Sequence, residues 1–262
     1  LDLVAISRNL DIQRDFKNVL IEAARIAGLW QVVDELEGRR EVEPRPPPPP
    51  REPEPERTYP EGIEEFWASL EPVTSRFDVQ AHLESRAIDP VLVEARDLAR
   101  ALPDVGALPP WAMCRGGTWR DAGFRLIVPM FDASGVLRTV RGWRVIENDL
   151  PKRLPPSGCK ASAVVMADEW GRAMLAATRA PERIVIAEGE PDALTWMTRL
   201  NEPRTAVLGI VSGSWCKEIA ASFPVGARVD VWTDHDEAGD RYANEIVLGL
   251  RRRCFVYRQV AA

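Results

Sequence analysis

From Arg183 onward the sequence alternates between two periodicities, and this alternation limits the fold more than any other feature. The β-prone runs RIVIAEG, TAVLGIVSG, RVDVWTDHD and RCFVYRQ are separated by three helical stretches, EPDALTWMTRL, SWCKEIAASF and AGDRYANEIVLGLRR. Strands of four to eight residues interleaved with helices predict a parallel, doubly wound sheet with helices on its faces. In such a sheet the functional crevice lies beyond the carboxyl ends of the strands.

Acids collect where those ends should be. One strand runs into VWTDHDEAGD, with Asp234 and Asp236 one residue apart. Alternate residues of an extended chain point to the same side, so the two carboxylates share a face and repel. A plain explanation is a capping loop for the helix that starts near Ala238, where acids are favourable. Another strand, 46 positions earlier, ends in EGEPDAL, with Glu188 at its end and Asp192 four residues on. Right-handed crossovers bring both strand ends to one side of the sheet. Carboxylates gathered there need cations, and oxygen ligands without a Cys or His pattern suit Mg2+ or Mn2+. His235, between the two aspartates, should point to the opposite face.

Ahead of this region the chain changes character twice. Nine of the 22 prolines fall between Pro44 and Pro60, mixed with charge, which predicts an extended, semi-rigid spacer over 39–60. Before it, DFKNVLIEAARIAGLW has helical periodicity and a glycine stop, so residues 1–38 read as a helical tail. After it come two short helical segments, then FRLIVPMFDASGVLRTVRGWRVI, two strands joined by an Asp-Ala-Ser-Gly turn. Residues 61–180 read as a mixed α+β subdomain and 181–262 as the parallel-sheet domain.

Composition narrows the function classes. The chain has 262 residues, 45% apolar and 28% charged, the balance of a soluble globular protein. No apolar run is long enough to cross a bilayer, and the first residues lack the layout of a signal peptide. Four scattered cysteines with no CxxC pair, and only two histidines, argue against a zinc site within this chain and for a reducing, cytoplasmic location. Net charge is −6, yet Trp111–Lys160 holds nine basic and four acidic residues, a basic stretch fit for a phosphate backbone. Trp119, Trp143 and Trp232 are possible base-stacking platforms, with core packing the more ordinary role for each.

The paired motifs resemble the Toprim domain shared by bacterial primases, topoisomerases and some nucleases. Glu188 and Gly189 match its glutamate and glycine, Asp192 the following aspartate, Asp234 and Asp236 the DxD pair, and Gly239 its glycine. The preceding strands resemble those of DnaG-type primases, including enzymes carried by phages, plasmids and integrated elements. Arg125, Pro129, Gly135, Gly142 and Arg144 fall in matching places, and PKRLPPSG is similar to the basic segment that follows, without its tyrosine and asparagine. The helical tail is similar to the end of a primase zinc-binding domain whose ligands would precede Leu1.

That resemblance implies a primase catalytic core making short RNA primers from NTPs on single-stranded DNA. It implies Glu188, Asp192, Asp234 and Asp236 as catalytic residues, with Glu188, Asp234 and Asp236 holding the metal. Arg125, Arg141, Arg144, Lys152, Arg153 and Lys160 would grip template or triphosphate, and a replicative helicase would engage regions outside this chain. Two other readings remain: a Toprim nuclease using the same carboxylates, and a non-catalytic primase-like DNA-binding module.

Overall fold

The computed structural model describes residues 14–37, 58–159, 162–211 and 214–260, with a few more between 4 and 11. The spacer, except for its last three residues, and Lys160 lie outside the described residues. The chain divides into two compact units, Leu1–Glu54 and Pro55–Ala262.

In the first unit, helices α1 (Phe16–Ile26) and α2 (Trp30–Leu36) pack together through Ile21, Ala24 and Val33. Gly28, at φ +70°, makes the turn between them that the sequence assigned to it.

The second unit opens with α3 (Ile63–Ala68), a 3-10 turn at Val73–Ser75, α4 (Phe77–Glu84) and α5 (Pro90–Ala95). Strands β1 (Arg100–Ala101), β4 (Phe124–Phe131), β5 (Leu137–Arg144) and β6 (Arg153–Leu154) then form an antiparallel sheet, after a small β2 (Met113–Cys114) and β3 (Gly117–Thr118) ladder. The β4–β5 turn is built as the sequence predicts. Asp132 accepts from the Ser134 N–H at 2.8 Å and the Ser134 hydroxyl at 2.6 Å. Gly135 takes φ +75° with its Cα against helix backbone: a Cβ there would lie 2.7 Å from the Arg172 carbonyl oxygen.

Next come β7 (Met166–Ala167), α6 (Glu169–Leu175), β8 (Arg183–Glu188), α7 (Glu190–Arg199), β9 (Thr205–Ile210), α8 (Lys217–Ala221), β10 (Arg228–Thr233), α9 (Glu237–Leu250) and β11 (Phe255–Val260). Their sheet has the order β11-β10-β8-β9-β7, and its first four strands are parallel. The predicted alternation is therefore present, with one correction. Edge strand β7 pairs antiparallel with β9, although it precedes position 181, where the parallel domain was expected to begin. Two residues are too few to carry a periodicity.

The sheet is buried on both faces, as a parallel sheet requires. Val185 and Ala187 of β8 face one core with Ala193, Leu194 and Met197 of α7. Ile184 and Ile186 face the other, with Ile219 of α8 and Ile246 and Leu250 of α9. The first of these cores also takes in Leu126, Val128, Met130 and Trp143 of the antiparallel sheet. Reciprocal backbone bonds between Phe131 and Val165, both 2.8 Å, tie the two sheets together.

Candidate active site

The strand order fixes where a ligand can reach the sheet. From β8 the chain crosses through α7 to β9, and from β10 it crosses through α9 to β11 on the other side. The connections part between the carboxyl ends of β8 and β10, which makes that point the open crevice. Glu188 ends β8, and Asp234 and Asp236 follow β10.

The crevice is closely fitted. Glu188 Oε2 accepts the Asp234 N–H at 3.0 Å, joining the two strand ends. Gly189 follows at φ +84° and donates to the Ile210 carbonyl at 2.8 Å. Gly239 is required by contact alone: a Cβ on it would lie 2.2 Å from the Asp234 carbonyl oxygen. Asp236 Oδ1 accepts the Gly239 N–H at 2.8 Å and so caps α9. The capping reading of the acidic turn therefore applies to Asp236, while Asp234, two residues before it, is tied to Glu188 through its backbone N–H.

Charge in the crevice is unbalanced. Burial pushes the Glu188 carboxyl up; the hydrogen bond from the Asp234 N–H works against it, the charges of Asp234 and Asp236 add to the rise, and Arg258 pulls it down. Burial and Asp234 also raise Asp192, against Arg153. Arg258 is itself engaged, 2.6 Å from Asp240 and donating to Thr233 Oγ1 at 3.2 Å. Among the described residues no three His, Cys, Asp or Glu side chains are gathered closely enough to make a ready-formed metal cage. The donors present are nonetheless all carboxylate oxygens, the chemistry that suits Mg2+ or Mn2+. His235 is exposed beside them.

The basic residues divide into distinct sets. Arg141 Nε lies 2.8 Å from Glu190 Oε1, and Arg153 Nη1 lies 3.2 Å from Glu190 Oε2. The Arg141–Glu190 contact is ionic rather than a hydrogen bond, since the 2.8 Å approach is misaligned and neither atom has a hydrogen-bond partner. Arg153 also lies over the Trp143 ring, 5.0 Å from its centroid. Arg144 folds onto its own loop, donating to Asn148 Oδ1 at 2.7 Å and the Leu150 carbonyl at 2.6 Å. Arg125 pairs with Asp104 at 2.7 Å, and Arg76 holds the same carboxylate at 2.6 Å. Lys152 is exposed on a cleft of about 430 Å3 that it shares with His82, Arg86, Trp143, Arg144 and Arg153.

Two residues were not legible as part of this surface. His82, which belongs to no motif, is half-buried in the cleft, 6.4 Å from the Trp143 ring, and burial lowers its pKa. Glu190 carried only one signal, its place inside the EGEPD motif, and that place resembles any exposed acid in a helix's first turn. Trp119 and Trp143 are core residues, 0% and 2% exposed. Trp232 packs on Trp196 with centroids 5.1 Å apart.

No protein-family model matches the sequence, and no curated protein matches it. Solved structures do. The Aquifex aeolicus primase, comprising zinc-binding and RNA polymerase domains, superposes with a TM-score of 0.54 at 18% identity, covering 76% of this chain and 53% of that one. The chain thus spans about half of that structure. A DnaG catalytic core gives 0.52 at 14% identity, and a DnaG primase catalytic domain bound to single-stranded DNA gives 0.50 at 15%; each covers 76% of this chain and 70% of its own. The chain has the fold of a DnaG-type primase catalytic core.

Proposed function

We propose that this chain is the catalytic core of a DNA primase, joining NTPs into short RNA primers on a single-stranded DNA template. The observation that carries the reading is the hydrogen bond from the Asp234 N–H to Glu188 at the switch point of the sheet, with Asp236 two residues on, in a fold shared with primase cores. Glu188, Asp234 and Asp236 would hold Mg2+ or Mn2+. Bound there, such an ion would neutralise the incoming triphosphate and the leaving pyrophosphate.

The side chains have separable tasks. Asp234 and Asp236 supply ligand oxygens, and Asp236 also holds the turn by capping α9. Glu188, whose pKa is raised, shares the metal or accepts the proton of the attacking 3′-hydroxyl. Asp192 supports them from the first turn of α7. The basic residues of β4, β5 and the segment after them, with Lys160, hold phosphates of template or nucleotide, where the guanidinium fork fits two oxygens at once. Arg125 and Arg144 would do so only by exchanging their present partners. A replicative helicase would engage regions outside this chain.

Labelled NTPs with Mg2+ or Mn2+ on varied single-stranded templates test the proposal. Short template-dependent RNA is expected. Cleavage of duplex DNA with no primers would identify a Toprim nuclease instead, and metal-independent DNA binding with neither activity would identify a non-catalytic module. Single-strand binding should weaken steeply with salt, and Lys152→Glu should flatten that dependence by about one unit.

A further inference from the structure

Glu190 is a buried acid to which the chemistry above gives no task. Its side chain is 1% exposed, and it sits in the first turn of α7 between Glu188 and Asp192, two residues from each. Its oxygens face guanidinium groups from the other sheet, Arg141 on β5 at 2.8 Å and Arg153 on β6 at 3.2 Å. Burying a carboxylate is costly unless it is paired, but one arginine would neutralise it. With two, the cluster keeps a net positive charge.

The arginines are also left with donors to spare. Arg141 meets Glu190 with Nε and Arg153 with Nη1, and a guanidinium carries five N–H groups. Both side chains remain partly open to solvent, at 20% and 28% exposure. Arg153 is further fixed over Trp143, and its charge reaches Asp192. An acid placed in this way orients two cations without using them up.

We infer that Glu190 is a positioning residue holding Arg141 and Arg153 as a receptor for the triphosphate of the incoming nucleotide, while Lys152 and Arg86 on the cleft serve template phosphates. The inference rests on the primase reading. The triphosphate is favoured over template because it must reach the carboxylate crevice, and template phosphates need not. The turn of helix that holds these two arginines is the same turn that follows Glu188 and carries Asp192, so they are anchored to the crevice itself.

The test measures two bindings on the full chain: ATP by calorimetry with Ca2+, which keeps chemistry off, and a labelled oligothymidylate by anisotropy. Glu190→Ala should weaken ATP at least about tenfold and leave oligothymidylate within about twofold, because a receptor loses its orientation while the cleft does not. Glu190→Gln, which keeps the size of the side chain but not its charge, should weaken ATP by a similar factor, because the Arg141 contact is ionic. A residue that only braces the fold would lower Tm and leave ATP affinity of the folded protein unchanged. That outcome, or equal weakening of both ligands, overturns the inference. Should Glu190→Ala not fold, Glu190→Asp withdraws the carboxylate by one methylene and is judged by the same pair of measurements. If wild-type chain makes no primers and binds no ATP, the primase reading itself fails; if it does both while Glu190→Ala and Glu190→Asp keep ATP affinity, only this inference fails.

Discussion

The two ends of the parallel sheet treat carboxylates in opposite ways. At the amino end, Asp230 is 1% exposed and fully matched: Arg183 Nε lies 2.7 Å from one oxygen and Arg228 donates to the other at 3.0 Å. Arg183 extends the network to Glu202 at 2.6 Å. At the carboxyl end, Glu188 receives one backbone N–H and faces two further acids. One strand, β10, carries both arrangements, with Asp230 near its start and Asp234 just past its end. An acid whose cations come from the chain is architecture. On the proposed primase reading, the acids left short of cations are where the metal would bind.

The largest test of this contrast is at the carboxyl end. Asp234→Asn and Asp236→Asn should each lower metal-dependent nucleotide transfer by at least ~100-fold. Asn still caps a helix, so the fold should hold, and Tm in EDTA should be equal to or above wild type because a repulsion is relieved. Wild-type activity in Asp236→Asn would remove the residue from the chemistry. The same exchange at the amino end should do the reverse. Asp230→Asn leaves two arginines facing a buried neutral group and should cost about 3 kcal/mol, a fall in Tm of roughly 10 °C, with the activity of the remaining folded protein unchanged. A Tm within a degree or two of wild type would mean that Asp230 is not held as an ion pair in solution.

This contrast marks what could be read in advance. The alternation of elements was visible because each strand and helix is long enough to carry a period. The crevice acids were visible because chain order alone brings the ends of β8 and β10 together. Gly239 was visible as a spacing, and the 2.2 Å approach to Asp234 supplies its cause. Pairings across sheets were hidden. Arg125 and Asp104 are 21 residues apart, and Glu190 meets β5 and β6 only because the Phe131–Val165 bridge draws the sheets together. Basic residues therefore all read as free phosphate ligands, whereas Arg125, Arg141, Arg144 and Arg153 already have partners. Nothing local marks the acid that a given arginine will meet.

A third acid sharpens the comparison at smaller scale. Asp168 is half-buried, less enclosed than Asp230, and among the described residues no arginine is in hydrogen-bond contact with it. It accepts two backbone N–H groups, from Gly171 at 2.7 Å and Val207 at 3.1 Å, and caps α6. These bonds do not offset its burial, which raises its pKa to about 6. A carboxyl with a raised pKa favours the folded state when protonated. Its contribution is complete below the unfolded value of 3.8 and is lost as pH rises through about 6. The stability difference between wild type and Asp168→Asn should therefore shift against wild type by on the order of 2–3 kcal/mol between pH 4 and pH 7. Urea unfolding of both proteins across that range reads the shift directly, and taking the difference cancels every other titrating group they share. A difference that stays flat would mean that two backbone donors suffice to hold this half-buried carboxylate in its charged form, and the ranking of the acids by their cations would fall.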